Sequence, residues 1–211
     1  MIANMSAESS DIKVIKVISE NISRLGWMDS SNLFAADLLD ELFLEACDHD
    51  ASHSLSMASV GNNAVREISS IRGDSTLWLD DPRCGTASKN FLAALDVLRK
   101  QLNQSLMLGL ESVEAHFAIY PAGMGYGRHR DRFRDDDARV LSMICYLNTD
   151  WPADAGGELR LYLTDGDHDI APRIGTSVIF LSAEIEHEVL LASRTRYSIA
   201  VWFRRQEMQV R

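Results

Sequence analysis

The chain has 211 residues, 46% of them hydrophobic and 25% charged, ordinary values for a globular protein with room for one well-packed core. A formal net charge of -10 argues against a nucleic-acid or anionic-membrane surface, because a phosphate backbone would be repelled at long range. Three widely spaced cysteines (Cys47, Cys84, Cys145) form no CxxC pair, and no apolar run reaches the ~20 residues of a membrane span, so a cytoplasmic protein is expected.

Residues 1–10 are polar and read as a disordered tail, with neither the basic start nor the apolar stretch of a signal peptide. One domain is expected over 11–211, with helical support over about 11–113 and a barrel core over about 114–205. From Asp11, the apolar residues Ile15, Ile18, Ile22 and Leu25 recur at helical spacing until Gly26 ends the run. Asp29, Ser30 and Ser31 offer N-caps for a second helix carrying Leu38, Leu39, Leu42, Phe43 and Ala46. Residues 49–72 are rich in Ser, Asn, Ala and Gly and read as a long mobile loop or irregular hairpin. A short strand over 75–79 ends in the turn Asp80-Asp81-Pro82, and a third helix over 88–106 puts Phe91, Leu95, Leu98 and Leu102 on one face.

From Glu114 the texture changes. Short β-type runs appear at 116–120, 140–147, 158–163, 176–181, 187–191 and 197–203. Turn signals separate them, among them Pro121-Ala122-Gly123, Asn148-Thr149-Asp150, Gly156-Gly157 and Asp165-Gly166-Asp167. Helices followed by regularly spaced strands predict an α+β fold, an antiparallel double-sheet barrel backed by helices on one side.

The chemistry concentrates in His129-Arg130-Asp131, His187 and Arg196. Alternation along a strand would send His129 and Asp131 to one face, and His187 would join them from a distant strand. Two neutral imidazoles and one carboxylate on one side of an iron ion leave the opposite positions open, the arrangement typical of non-haem Fe(II) oxygenases. Taken alone, His-x-Asp is a frequent chance pairing; the other members give it weight. His187 lies on the face opposite Glu186 and Glu188. On the last strand Arg196, Ser198, Ala200 and Trp202 share one face, and Tyr197, Ile199 and Val201 the other. A cation on that apolar strand needs a partner when buried, and a dicarboxylate supplies one. Arg194 is the next candidate for this clamp. Cys145 has the opposite parity to Ile144 and Tyr146 and reads as core. His49, His53, His116 and His168 have no ligand-like spacing and read as structural or surface residues.

The segment from Tyr120 to Asp131, Tyr-Pro-Ala-Gly-Met-Gly-Tyr-Gly-Arg-His-Arg-Asp, resembles the metal-binding segment of the prolyl-4-hydroxylase-like Fe(II)/2-oxoglutarate dioxygenases. It is most similar to the oxygen-sensing (hypoxia-inducible-factor type) prolyl hydroxylases and their bacterial relatives. Ile71-Arg72-Gly73-Asp74 with Trp78, Tyr146-Leu147-Asn148 with Asp150-Trp151, Gly156-Gly157-Glu158-Leu159-Arg160, His187-Glu188-Val189 and the stretch from Arg196-Tyr197 to Val201-Trp202 continue the likeness. It covers roughly 33–204. The resemblance implies a double-stranded β-helix, the jelly-roll barrel of cupins, supported by N-terminal helices.

It further implies iron bound by His129, Asp131 and His187. Arg196 would pair with the distal carboxylate of 2-oxoglutarate, with Tyr146 hydrogen-bonded to it, Tyr120 nearby, Ile144, Leu159 and Val189 as apolar walls and Ser198 as an added hydroxyl. Tyr126, Arg139, Trp202, Arg72 and Trp78 would meet the substrate, and the loop before Arg72 would close over it. The implied cofactors are Fe(II), 2-oxoglutarate as cosubstrate and dioxygen, with ascorbate (vitamin C) a candidate reductant. The implied reaction is hydroxylation of a prolyl residue in a protein or peptide, with no nucleic-acid or membrane partner. A hydroxylase of a free amino acid or small metabolite, or a non-catalytic sensor of iron and 2-oxoglutarate, are the alternatives. After Asp131 the chain departs from the animal enzymes with Arg132-Phe133-Arg134 and the acidic run Asp135-Asp136-Asp137, read as a solvated turn; the target is therefore open.

Overall fold

Apolar residues at helical spacing in the first half and at alternate positions in the second sort the chain into a helical layer and two sheets. The computed structural model describes residues 2–31, 33–57, 72–131 and 138–206. In chain order the elements are α1 (Ile2–Leu25), β1 (Trp27–Ser31), α2 (Ala36–Ala51), β2 (Ser56–Met57), β3 (Ser75–Trp78), α3 (Thr86–Leu106) and β4 (Leu110–Tyr120). They continue with β5 (Tyr126–His129), β6 (Arg139–Tyr146), β7 (Leu159–Leu163), β8 (Gly166–Ile170), β9 (Thr176–Leu181), β10 (Glu186–Val189) and β11 (Arg196–Arg205).

Among the described residues the strands form two antiparallel sheets, one ordered β1-β9-β6-β11-β4-β3-β2 and the other β5-β10-β7-β8. The larger sheet has an apolar cluster on each face. Ile199, Val201 and Phe203 of β11 pack with Phe91, Leu95 and Leu102 of α3 and Ile18 and Ile22 of α1. Between the sheets, Tyr146, Val178 and Phe180 meet Leu159, Leu161 and Ile170. Helices on one side of a double-sheet jelly roll are what the order of helical and β-type segments predicts.

Three local expectations are corrected. The helix of α1 begins at Ile2 rather than Asp11, so the segment read as a tail is helical; it holds no Gly or Pro, and its Ala, Met and Glu residues favour helix. Asp29, Ser30 and Ser31 do not cap α2, which starts after Ala35; they pair with Val178, Ser177 and Thr176 as an edge strand. A five-residue ladder satisfies more backbone groups than one capping side chain does. Gly166 and Asp167, read as turn, open β8, whose mostly polar residues are held by the ladder to β7. Of the loop expected over 49–72, α2 takes the start and β2 follows. The closing segment at 58–71 and the acidic run at 135–137 lie outside the described residues. Among the described residues, no helix is long and apolar enough to cross a membrane.

α3 starts with Gly85 at its N-cap, which has no side chain to offer. Glu45 of α2 does this work from a distance. Its carboxylate accepts from the Gly85 N–H at 2.7 Å, the Ser88 N–H at 3.2 Å and the Ser88 hydroxyl at 2.7 Å. A carboxylate there both satisfies orphan donors and suits the positive end of the helix dipole. Glu45→Ala is expected to lower stability by about 1–2 kcal/mol in urea unfolding. An unchanged midpoint would show that solvent caps α3 equally well.

Candidate metal and cosubstrate site

The site lies between the sheets where β5 and β10 run side by side. His129 and His187 are direct partners in that ladder, with ring centroids 4.2 Å apart. β5 ends at His129, so Asp131 reaches the same point from the bend beyond the strand rather than by alternation within it. Glu186 and Glu188 do face away from this point: Glu186 pairs with Arg128, and Glu188 accepts from the Tyr162 hydroxyl at 2.7 Å.

The tautomers follow from the backbone. His129 Nδ1 lies 2.8 Å from the Gly127 carbonyl oxygen and His187 Nδ1 3.3 Å from that of Ile185. A carbonyl only accepts, so both Nδ1 atoms carry hydrogen and both Nε2 atoms offer lone pairs. Burial pushes the His187 pKa down to about 4, which keeps that ring neutral at physiological pH. The two Nε2 atoms face Asp131 Oδ1 at 3.3 and 3.6 Å. Three electron-rich atoms turned on one another in a buried place repel unless a cation lies between them. Two imidazoles and a carboxylate, all ligand atoms within 4.8 Å, fit a divalent metal such as Fe(II). Asp131 Oδ2 is held separately, accepting from Trp202 Nε1 at 2.9 Å.

Arg196 stands deeper in the same cavity, 1% exposed. Its Nε donates to the Gly157 carbonyl at 3.0 Å and its Nη1 to Ser198 Oγ at 3.0 Å. Among the described residues Nη2 has no partner, and neither has the hydroxyl of fully buried Tyr146, whose ring lies 5.0 Å from the guanidinium. Burial pushes the Tyr146 phenol up to about 12, so it keeps its proton. Two buried donors without an acceptor are costly, and a carboxylate accepts from both. Tyr120 places its ring 5.2 Å from Arg196, and Ile144, Leu159 and Val189 supply apolar wall. Ser198 sends its own hydrogen to the Ala118 carbonyl at 3.0 Å, so it braces the arginine as an acceptor. Gly157 has φ +77, and a Cβ there would meet the Ala192 Cβ at 2.9 Å; only glycine brings this carbonyl to the arginine. Arg194, the other candidate clamp, is exposed and donates to the Asp150 carbonyl.

At the mouth, Tyr126 stacks on His129 at 3.7 Å, and Arg72, held by Asp74 at 2.6 and 2.9 Å, lies over Tyr126. The Arg139 guanidinium lies 3.7 Å from the centre of the Trp202 ring and donates to Glu114. Trp78 is 43% exposed and stands beside the opening rather than in its lining. Asp74, His116, Ala118 and Ala200 also line the cavity. Strand parity held a signal for three of them, since His116 and Ala118 alternate with Tyr120, and Ala200 lies between Ser198 and Trp202. A second group close enough to share an ion, Glu45, His49 and Cys84, is otherwise engaged. Glu45 caps α3, and the Cys84 thiol donates to the Trp78 carbonyl at 3.3 Å.

Residues 115–204 match the 2OG-Fe(II) oxygenase superfamily. Egl nine homolog 1 of Homo sapiens is 34% identical over 144 residues, 63% of this chain and 33% of that protein; the chain thus spans a third of its length. A prolyl-4-hydroxylase of Pseudomonas putida has a solved structure with 43% identity and a TM-score of 0.83, covering 90% of this chain and 99% of that one. A prolyl hydroxylase of Trichoplax adhaerens, solved with a hypoxia-inducible-factor oxygen degradation domain peptide, superposes with a TM-score of 0.85 at 25% identity, over 94% of this chain and 92% of that one.

Proposed function

The chain belongs to the 2OG-Fe(II) oxygenase superfamily, and on that footing we propose that it hydroxylates a prolyl residue of a protein or peptide while converting 2-oxoglutarate to succinate. The observation that carries this reading is the pairing of a His-Asp-His cluster with two buried donors, Arg196 Nη2 and the neighbouring Tyr146 hydroxyl, that find no acceptor among the described residues. The chemistry supplied by Fe(II), 2-oxoglutarate and dioxygen, when bound, is insertion of one oxygen atom into a substrate C–H bond with release of succinate and CO2.

The chain's own residues do the rest. His129, Asp131 and His187 would hold the metal, and the carbonyls of Gly127 and Ile185 keep both rings in the ligating tautomer. Arg196 and Tyr146 would fix the far carboxylate of the cosubstrate. Ile144, Leu159 and Val189 keep that end dry, which strengthens the charge pairing and shields the reaction from water. Tyr126, Arg139 and Trp202 form an open rim with both stacking faces and charge. Such a rim suits a loop of a protein better than a small metabolite sealed in a closed pocket, and a 25%-identical relative is solved with a peptide bound. All three cysteines are unpaired, in keeping with the reducing cytoplasm as its compartment.

The test is anaerobic reconstitution with Fe(II), 2-oxoglutarate and ascorbate, followed by air and a search of proline-containing peptides for the mass of one added oxygen. Iron-dependent succinate with oxygen gained on proline is the expected result. Succinate with oxygen gained only by free amino acids would replace this reading with the metabolite one. In the same preparation Trp202→Phe should weaken Fe(II) binding by about tenfold, because Asp131 loses the outer partner that orients it. An unaltered anaerobic Fe(II) titration would show that the indole N–H is dispensable.

A further inference from the structure

His116 carries an acceptor on the cavity wall that no described residue uses. It lies on β4 with the same parity as Ala118 and Tyr120, so one wall of the cavity runs from His116 at the opening to Tyr120 beside Arg196. The ring is 3% exposed, edge-on to Trp78 at 5.1 Å and tilted to Trp202 at 5.2 Å. Its Nδ1 is 2.8 Å from the Phe117 carbonyl oxygen, which only accepts, so Nδ1 carries the hydrogen. Burial pushes the ring's pKa down to about 4, which leaves Nε2 a neutral acceptor at physiological pH. Among the described residues none donates to Nε2. Of the donors around it, Arg72 gives Nε and Nη2 to Asp74, Arg139 gives Nε to Glu114, and the Trp202 indole gives its N–H to Asp131.

A prolyl residue brings an apolar ring but no N–H of its own, so a peptide presenting it is read through flanking amides. The nearer of these along the chain is the N–H of the following residue. We propose that His116 Nε2 accepts the backbone N–H immediately after the target proline, on the cavity wall beside Trp202. His116 is on this view a substrate-positioning residue; the proposal rests on the prolyl-hydroxylase reading above and names a contact for it.

The probes are N-acetyl-L-proline N-methylamide and N-acetyl-L-proline methyl ester, a pair in which an ester oxygen replaces that one N–H. Each is titrated onto protein loaded anaerobically with Fe(II) and 2-oxoglutarate, with binding read from paramagnetic broadening of the ligand's resonances. Wild type should bind the amide about fivefold more tightly than the ester, as one net hydrogen bond implies. His116→Phe should bind both alike, while His116→Gln, which keeps an acceptor, should recover part of the preference. Equal binding of the two probes by wild type, binding of neither, or full preference retained in His116→Phe would overturn the proposal. If His116→Phe fails to fold, the wild-type pair and His116→Gln decide it. Binding is read without turnover, so the two ideas fail separately. An amide that is bound and discriminated but never gains oxygen on exposure to air defeats the hydroxylase reading and leaves the contact standing.

Discussion

Asp131→Ala or His129→Ala is expected to reduce iron-dependent succinate formation to background while leaving the domain folded. Loss of an outer partner of a metal ligand already costs about 10–100-fold in affinity, so loss of a ligand itself should exceed that. The fold should survive because neither residue belongs to an apolar cluster of the barrel. In Asp131→Ala the Trp202 indole N–H loses its acceptor, a cost of about 1–3 kcal/mol. The same change removes an anionic oxygen from beside two lone pairs, which offsets part of that cost. Urea unfolding checks the fold, an anaerobic Fe(II) titration the metal and succinate the turnover. Turnover at the wild-type rate in either variant would sink the iron assignment.

Arg196→Ala should raise the KM for 2-oxoglutarate by thirtyfold or more, because truncating one partner of a buried charge pair costs about 2 kcal/mol at the least. The geometry sharpens the expectation. The guanidinium is pre-aimed by Gly157 and Ser198 and leaves one nitrogen without a partner among the described residues, so little ordering remains to be done when a carboxylate arrives. Arg196→Lys keeps the charge but loses the fork, and should lie between wild type and alanine. A KM unchanged in Arg196→Ala would place the clamp elsewhere. Arg194 is poorly placed to substitute, since it faces solvent over Trp151.

Where one element's own periodicity decides the answer, the sequence was legible. The buried stripe of α3, the two faces of β11 and the outward turn of Glu186 and Glu188 depend only on how successive side chains point. Where the answer lies in a neighbour, it was not. β1 and β8 carry few apolar residues and are strands because β9 and β7 pair with them. The capping of α3 by Glu45 joins residues about forty positions apart, and Gly85 holds no sign of it.

The site divides along the same line. The residue types that can hold a metal and a dicarboxylate, and the shared face of Arg196, Ser198 and Trp202, were determined by the sequence alone, because chemistry belongs to side chains and alternation to the strand. Only the tertiary structure decided that His129 stands opposite His187, that Asp131 reaches them from beyond the end of β5, and which nitrogen of each ring is free. It likewise turned His116 from an ordinary histidine into a neutral acceptor at the mouth, through the Phe117 carbonyl and the burial its neighbours impose. Tautomer, burial and ladder register are properties of surroundings, and surroundings exist only once distant segments have packed together.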